Sequence, residues 1–479
     1  MLKVHNSLTG KLEEFTPIKK GRVGIYVCGP TVYDWAHLGH ARTYTAFDVI
    51  IRWLKYRGYS VTYIQNITDV GHLREDTGED KIGEKSKEEK VNPMALVEKY
   101  MREYFADMDR LGVIRPDISP RATGHIIDMI EAVRKLVEKG YAYEVDGNVF
   151  FDVSKFKEYG KLSKVNPKEM IAGSRFEVHP GKKNPQDFAL WKKAKPTDPF
   201  KWPSPWGEGF PGWHIECSVM ASKYLGEQID IHGGGRDLKF PHHENEIAQA
   251  EALTGKKPFV KYWLHTEFLT INGEKMAKSL GNYVTLREVL EKYEPETLRY
   301  FFASTHYRSP IDYNEKSLEQ ARKSLESLKN SIQLLRKLGV TEKQTAQEKE
   351  LELEMKKAKE EFEKAMDDDF NTVGALAALF EFSRKLNTYT SNNQKITTEL
   401  KDKIIKMFDE LGGILGLKLC EERKTGGEQL EKVIGVIIKV REELRRKGEW
   451  KLSDEIRAEL RKAGVILNDE KEGTSWKLA

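Results

Sequence analysis

At 479 residues the chain exceeds what one hydrophobic core serves, so it should divide into about two to four domains. With 39% hydrophobic residues and no run of about 18 apolar positions it carries no expected membrane span, and a net charge of +4 does not by itself announce a nucleic-acid binder. Three scattered cysteines make no disulfide framework and the N-terminus lacks a signal-like apolar core, which together predict a cytoplasmic protein.

In chain order, residues 24–28 read as a buried strand ending at Cys28, and Gly29-Pro30-Thr31 as a turn. His37-Leu-Gly-His40 opens the next segment, and residues 45–56 carry apolar side chains at helical spacing. A second strand starts at Ser60 and ends in polar residues. Strand, helix and strand with polar groups at the strand ends is the α/β pattern whose ligands bind at the carboxyl edge of a parallel sheet. Residues 75–89 are dense in charge and predict a surface loop; 95–111 and 124–140 predict amphipathic helices. Tyr141 begins a hairpin turning at Asp146-Gly147, and 166–211 reads as a Pro-, Gly- and Lys-rich loop.

The α/β pattern resumes at Asp230-Ile231. Gly233–Gly235 predict a tight turn, and Pro241 suits the first turn of a helix over 242–253. Another strand and turn leads into the basic loop 275–279. From 317 to about 415 the pattern is helical, with breaks near Gly339 and Ser391; Asp367–Asn371 should start and cap one helix. The polar stretch 422–427 is the last linker, before two helical runs and two short strands. The expected divisions are 1–115 and 206–316 as two halves of a Rossmann-like catalytic domain, 116–205 as an insertion, 317–421 as a helical bundle and 428–479 as a small α+β module.

Two constellations carry chemistry. On the helix after Pro241, His242 and Glu246 are four residues apart and share a face, half of a tetrahedral zinc site. Cys28 and Cys217 are candidates for the other half, since two thiolates, an imidazole and a carboxylate suit zinc. Spacing leaves His243 as an alternative to His242, because i,i+3 also shares a face. The second constellation joins His37 and His40, placed to donate hydrogen bonds to phosphates at a helix start, to Lys275 and Lys278, placed to neutralise a triphosphate.

Taken together, His-Leu-Gly-His at 37–40 and Lys-Met-Ala-Lys-Ser at 275–279 resemble the two signatures of class I aminoacyl-tRNA synthetases. With Cys28, Gly-Trp-His-Ile-Glu-Cys217 and Phe-Pro-His-His-Glu-Asn-Glu246 the chain resembles the cysteinyl-tRNA synthetase family over nearly its full length. The resemblance implies one Zn²⁺ held by Cys28, Cys217, His242 and Glu246, and so chooses His242 over His243. It implies ATP contacts from His37, His40 and Lys278, catalytic roles for these and Lys275, Mg²⁺ accompanying ATP, and substrate contacts from Gly29, Thr68, Trp213 and Asp237. The implied partners are L-cysteine, ATP and tRNA(Cys), with the enzyme acting as a monomer. Ala277 stands where Ser is more usual, which removes a hydroxyl worth about 0.5–1.5 kcal/mol and neither loop charge.

Under that reading zinc would select the substrate thiol over a serine hydroxyl, so no editing domain is expected. A ligase joining adenylated cysteine to an amino sugar would share the ATP and zinc sites, but would have no use for the helical region after 317. A non-catalytic tRNA- or zinc-binding relative would have little reason to keep His37, His40, Lys275 and Lys278. In the tail, Arg441, Arg445, Arg446, Lys447, Lys451, Arg457, Arg461 and Lys462 with Trp450 and Trp476 are candidates to meet tRNA.

Overall fold

Alternation of apolar strands with helices builds the centre of the larger of two compact units, Met1–Leu419, in a computed structural model that describes residues 1–70, 81–165, 180–196, 198–277, 280–421, 426–470 and 473–478. β1 (Arg22–Val27), α1 (Leu38–Tyr56) and β2 (Ser60–Gln65) form the first β-α-β unit. After an intervening segment, α2 (Trp213–Leu225), β3 (Ile229–Gly235), α3 (His242–Thr254) and β4 (Val260–Thr266) continue it. The four strands lie in the order β4-β3-β1-β2, all parallel. Val23, Ile25, Val27, Ile231, Val260 and Leu264 are buried, as expected of strands covered on both faces. The expected Rossmann-like α/β sheet is thus present, with Cys28 at the carboxyl end of β1.

The three glycines do not make the tight turn expected of them. Gly233–Gly235 continue β3. The reason is steric: a Cβ on Gly233 would lie 2.2 Å from Phe47 Cζ of α1 and 2.5 Å from the Leu264 carbonyl of β4. Glycine here admits close approach of neighbouring backbone and ring.

Two other expectations are corrected. Residues 81–89, anticipated as part of a charged loop, form a helix (Lys81–Glu89) that buries Ile82, Gly83 and Ser86 and pairs Lys85 with Glu88 and Glu89 on its outer face; 71–80 lie outside the described residues. The stretch 166–211 contains strands Phe188–Lys193 and Gly209–Pro211, which join the hairpin Ala142–Val145 and Asn148–Phe151 in one antiparallel sheet. Residues 166–179 and 197 lie outside the described residues. The hairpin turns where expected, with Asp146 and Gly147 at φ of 50° and 84°.

A second small sheet hangs from the end of β4. β5 (Leu269–Ile271) pairs antiparallel with β6 (Glu274–Lys275) and parallel with β7 (Ile311–Tyr313). The helical bundle follows: α4 (Glu315–Lys337), α5 (Ala346–Met366), α6 (Thr372–Asn392) and α7 (Thr398–Ile414). Its core includes Leu328, Ile332, Phe362, Leu379, Phe382 and Phe408. Asn371 caps α6, accepting from Gly374 N at 3.0 Å, and short strands at Gly339–Thr341 and Lys395–Thr397 occupy the two breaks.

A buried guanidinium ties this bundle to the sheet domain. Arg299 pairs with Asp48 of α1 and donates to the carbonyls of Gly112 (3.1 Å) and of Leu415 (3.1 Å), just past α7. Gly416 is glycine for the same reason: a Cβ there would sit 1.9 Å from an Arg299 nitrogen.

The smaller unit, Cys420–Ala479, holds α8 (Gly426–Arg446), α9 (Trp450–Lys462) and the hairpin β8 (Val465–Glu470) and β9 (Gly473–Leu478). Its core is Ile434, Val465 and Leu467, with Ile438, Leu460 and Trp476 packed against it. Of the residues named as candidates to meet tRNA, Arg441 is buried and Trp476 is partly buried against this core. Arg445 instead stacks over the exposed Trp450, 5.5 Å from its ring centre. No helix among the described residues is long and apolar enough to cross a membrane.

Candidate active site and metal centre

The carboxyl end of β1 delivers Cys28, α2 delivers Trp213 and Cys217 from its first turns, and α3 delivers His242 and Glu246. The donor atoms of Cys28, Cys217, His242 and Glu246 all lie within 4.8 Å of one another, and all four residues are buried. The two sulfurs are 3.9 Å apart, Cys28 Sγ is 3.7 Å from Glu246 Oε1, and His242 Nε2 is 3.0 Å from the same oxygen. A tetrahedral ion with metal–sulfur bonds of about 2.3 Å needs an S···S edge of about 3.8 Å. The donor set therefore fits a tetrahedral metal in both type and spacing.

A second quartet overlaps the first: Cys28, His232, His243 and Glu246 satisfy the same distance criterion. His243 Nε2 is 3.3 Å from Cys28 Sγ, and its Nδ1 is 2.9 Å from His265 Nε2. His232 Nε2 is 2.8 Å from Glu246 Oε2, leaving Oε1 toward Cys28 and His242. His214 meets His242 Nδ1 to Nδ1 at 2.9 Å, so the outward nitrogen of His242 is engaged while Nε2 faces the quartet. Such outer partners fix the orientation of ligating groups.

Burial sets the electrostatics. It pushes the Cys28 and Cys217 thiols above their ordinary range and holds His243 well below 6.5 and His265 at about 3. Thiols and imidazoles gathered around Glu246 in this way are costly to bury, and a divalent cation is the group that would compensate them.

Beside this centre lie the other residues singled out from sequence. Trp213 is half-buried and stacks on His242, ring centres 4.2 Å apart. Gly29 donates its N–H to Asn66 Oδ1 at 2.8 Å, and a Cβ on it would lie 1.6 Å from the Asn66 carbonyl oxygen. Thr68 donates to Glu216 Oε2 at 2.9 Å and accepts from Asn66 Nδ2 at 3.1 Å. Asp237, in a short turn after β3, lays its carboxylate over Gly235, whose Cβ would come within 2.4 Å of Oδ1.

His37 caps α1, its Nδ1 accepting from the N–H groups of Gly39 (3.1 Å) and His40 (3.3 Å). His40 Nδ1 in turn faces the His37 N–H at 3.4 Å, and the rings stack with centres 3.7 Å apart. With both Nδ1 atoms accepting, each neutral imidazole carries its proton on Nε2 and is a donor there. Burial and the neighbouring His37 hold His40 well below 6.5, so it is neutral at pH 7. Gly39 leaves room for the stack; a Cβ would lie 2.9 Å from His37 Cε1 and 3.8 Å from Met276 Cε of the basic loop.

The loop is fastened to α1 from its far side. Leu38 N donates to Val284 O at 3.2 Å and Leu286 N to Ala36 O at 2.8 Å. Asn282 bridges the loop internally, accepting from Ala277 N at 2.8 Å and donating to Lys275 O at 3.0 Å. Lys275 is exposed on β6; Lys278 lies outside the described residues.

Comparison with known proteins decides the family. Residues 14–323 match the tRNA synthetases class I (C) catalytic domain, 361–420 the DALR domain, and 430–476 the cysteinyl-tRNA ligase anticodon binding domain. Cysteine–tRNA ligases of Thermococcus onnurineus and Pyrococcus horikoshii are each 50% identical, over 99% of this chain and 99% of theirs. That of Carboxydothermus hydrogenoformans is 46% identical over 99% of this chain and 100% of its own. The chain belongs to the cysteine–tRNA ligase family. As a ligase of this family it carries the class I fold, which solved structures reproduce at low identity. A Mycobacterium tuberculosis methionyl-tRNA synthetase bound to methionyl-adenylate aligns at TM-score 0.60 and 15% identity, covering 82% of this chain and 93% of its own. The LeuRS–tRNA–LeuAMS complex of Agrobacterium radiobacter K84 aligns at 0.59 and 11%, covering 85% and 87%. The anticodon-domain match favours the tRNA ligase over the amino-sugar ligase, and the catalytic-domain match with 50% identity to ligases over nearly the full length favours it over a non-catalytic relative.

Around the ligase's candidate metal centre, sequence reasoning missed His214, His232, His265, Asn66 and Glu216. His232 carried one signal, a histidine inside the apolar strand that enters the glycine run.

Proposed function

We propose that the chain activates L-cysteine with ATP and transfers it to the terminal adenosine of tRNA(Cys), in the cytoplasm and as a monomer. The observation that carries this reading is the buried quartet Cys28, Cys217, His242 and Glu246 beside Trp213 and within the fold that also presents His37 and His40. A zinc ion held by that quartet would bind a substrate thiolate far better than a hydroxyl, which supplies the discrimination of cysteine from serine.

The remaining steps belong to the chain's own groups. Gly29, Thr68, Trp213 and Asp237 surround the substrate's backbone end, with Thr68 oriented by Glu216 and Asn66. The cysteine carboxylate attacks the α-phosphorus in line; the bond to the bridging oxygen breaks and pyrophosphate leaves. His37 and His40 donate Nε2–H to phosphate oxygens as neutral groups, while Lys275 and Lys278, with Mg²⁺ accompanying ATP, oppose the charge growing on the leaving pyrophosphate. The terminal ribose hydroxyl then attacks the adenylate carbonyl and AMP leaves. Labour divides along the chain: 1–115 and 206–316 catalyse, 116–205 is inserted between them, 317–421 binds tRNA and 428–479 meets the anticodon.

Cysteine-dependent ATP–pyrophosphate exchange, followed by charging of added tRNA, tests the proposal. Exchange followed by charging is the expected result. Exchange without charging would indicate a small-molecule ligase, and no exchange in zinc-loaded protein would contradict the activity altogether.

A further inference from the structure

Arg42 lies two residues beyond His40 on α1 and is buried. Among the described residues its guanidinium meets three backbone carbonyls and no carboxylate. One nitrogen donates to Phe268 O at 3.4 Å; another donates to Tyr307 O at 3.5 Å and, in a shorter contact, to Ser309 O. Burial lowers its pKa to about 10, which still leaves it charged at pH 7. The Glu267 carboxylate offsets this charge from beyond contact distance and is itself paired with Arg236, so burying the cation stays expensive and packing alone does not account for arginine at this position; an aliphatic chain would fill the volume at less cost. What the guanidinium offers is a rigid fork of five donors that can satisfy several carbonyls at once.

Those carbonyls belong to the root of the sheet that bears Lys275. Phe268 immediately precedes β5, and Ser309 lies just before β7. The two segments are joined to each other: Glu267 N donates to Tyr307 O at 2.9 Å and Ile311 N to Phe268 O at 3.2 Å. From there the register runs directly to the loop, since Thr270 of β5 pairs with Lys275 of β6. Next to Arg42, Thr43 Oγ1 meets Thr266 Oγ1 at 2.9 Å at the end of β4.

We propose that Arg42 is a positioning residue for adenylate formation: its guanidinium holds the root of the Lys275-bearing hairpin in register with the His37–His40 pair. The inference rests on the activity proposed above, in which the histidines hold phosphate oxygens and the lysines oppose the charge on the leaving pyrophosphate of the same ATP. A shift of about 1 Å between them would cost on the order of 100-fold in rate.

The test is Arg42→Lys and Arg42→Gln in the full-length protein. Exchange is measured with KM for cysteine and for ATP, and transfer to tRNA is measured in single turnover from preformed cysteinyl-adenylate. Both variants should lose about 10- to 100-fold in exchange kcat with KM for cysteine little changed. Lysine should rescue poorly, because one ammonium cannot span three carbonyls. Transfer from preformed adenylate, which no longer needs pyrophosphate held between the two signatures, should stay within about threefold of wild type. Wild-type exchange in either variant would overturn the proposal. So would equal loss of exchange and transfer, or failure of both variants to fold, since these are marks of a structural residue. Absence of exchange in the unmutated protein would overturn the activity reading instead.

Discussion

Two buried thiols, an imidazole and a carboxylate within a few ångströms of one another make a donor set suited to zinc, and that suitability predicts the outcome of Cys217→Ser. A hydroxyl is a poor ligand where a thiolate is needed, so the variant should lose its zinc and its cysteine-dependent exchange while far-ultraviolet circular dichroism stays that of the wild type. Metal content per chain and exchange rate are the readouts; a variant that keeps both would remove the quartet from the account. His40 gives a pH prediction. Its folded-state pKa lies well below 6.5, so between that value and 6.5 the unfolded chain binds the proton first. Its contribution to stability is present above about pH 6.5 and declines as pH falls below it. The urea midpoint should therefore drop from pH 7 to 5, and His40→Gln should flatten that slope. Both of these groups were visible in the sequence because local spacing encodes them: i,i+4 for His242 and Glu246, and i,i+3 for His37 and His40. His232 and His265 were not, because the lateral register of β3 against β1 and β4 brings them to the site, placing Tyr26 and Trp263 opposite His232.

At the scale of elements, glycine and charge were the ambiguous signals. Gly233–Gly235 could mean a turn or a close crossing, and only the approach of Phe47 from α1 decides it. Gly233→Ala should accordingly cost about 1–3 kcal/mol through overpacking, seen as a lower urea midpoint with an unchanged m-value. A midpoint equal to wild type would mean that α1 can move away from β3. The charged run at 81–89 misled for a related reason. Its helix is marked by three small or apolar positions, Ile82, Gly83 and Ser86, on one face of an otherwise solvated segment. Strands Phe188–Lys193 and Gly209–Pro211 were hidden by surrounding Pro, Gly and Lys; the first forms by pairing onto a hairpin nearly 40 residues upstream, and the second by pairing onto the first. Strong periodic signals transferred well in the bundle helices α4 and α7, where burial follows the 3.6-residue repeat, whereas α3 is buried on every face from His242 to Ala252.

Across the whole chain, three regions matched by family profiles occupy most of its length, yet residues 1–419 form one compact unit. The Asp48–Arg299 pair is part of what makes them one. Arg299→Met would leave the fully buried Asp48 carboxylate with Arg52 as its one charged partner among the described residues, and should destabilise this unit by about 3–5 kcal/mol. Unfolding followed by tryptophan fluorescence would show the loss; an unchanged midpoint would mean that the pair merely offsets its own desolvation. None of this coupling was legible in the sequence, since Asp48, Arg299 and Leu415 are joined only by tertiary packing.

The metal proposed at Cys28, Cys217, His242 and Glu246 would read the substrate's sulfur. The direct measurement is the ratio of exchange efficiency, kcat/KM, for cysteine over serine in zinc-loaded protein. Discrimination by size alone reaches about 10- to 200-fold. A site that binds the thiolate should exceed about 1,000-fold, beyond that size limit. A ratio at or below about 200-fold would show a pocket that senses only size, and would contradict the account.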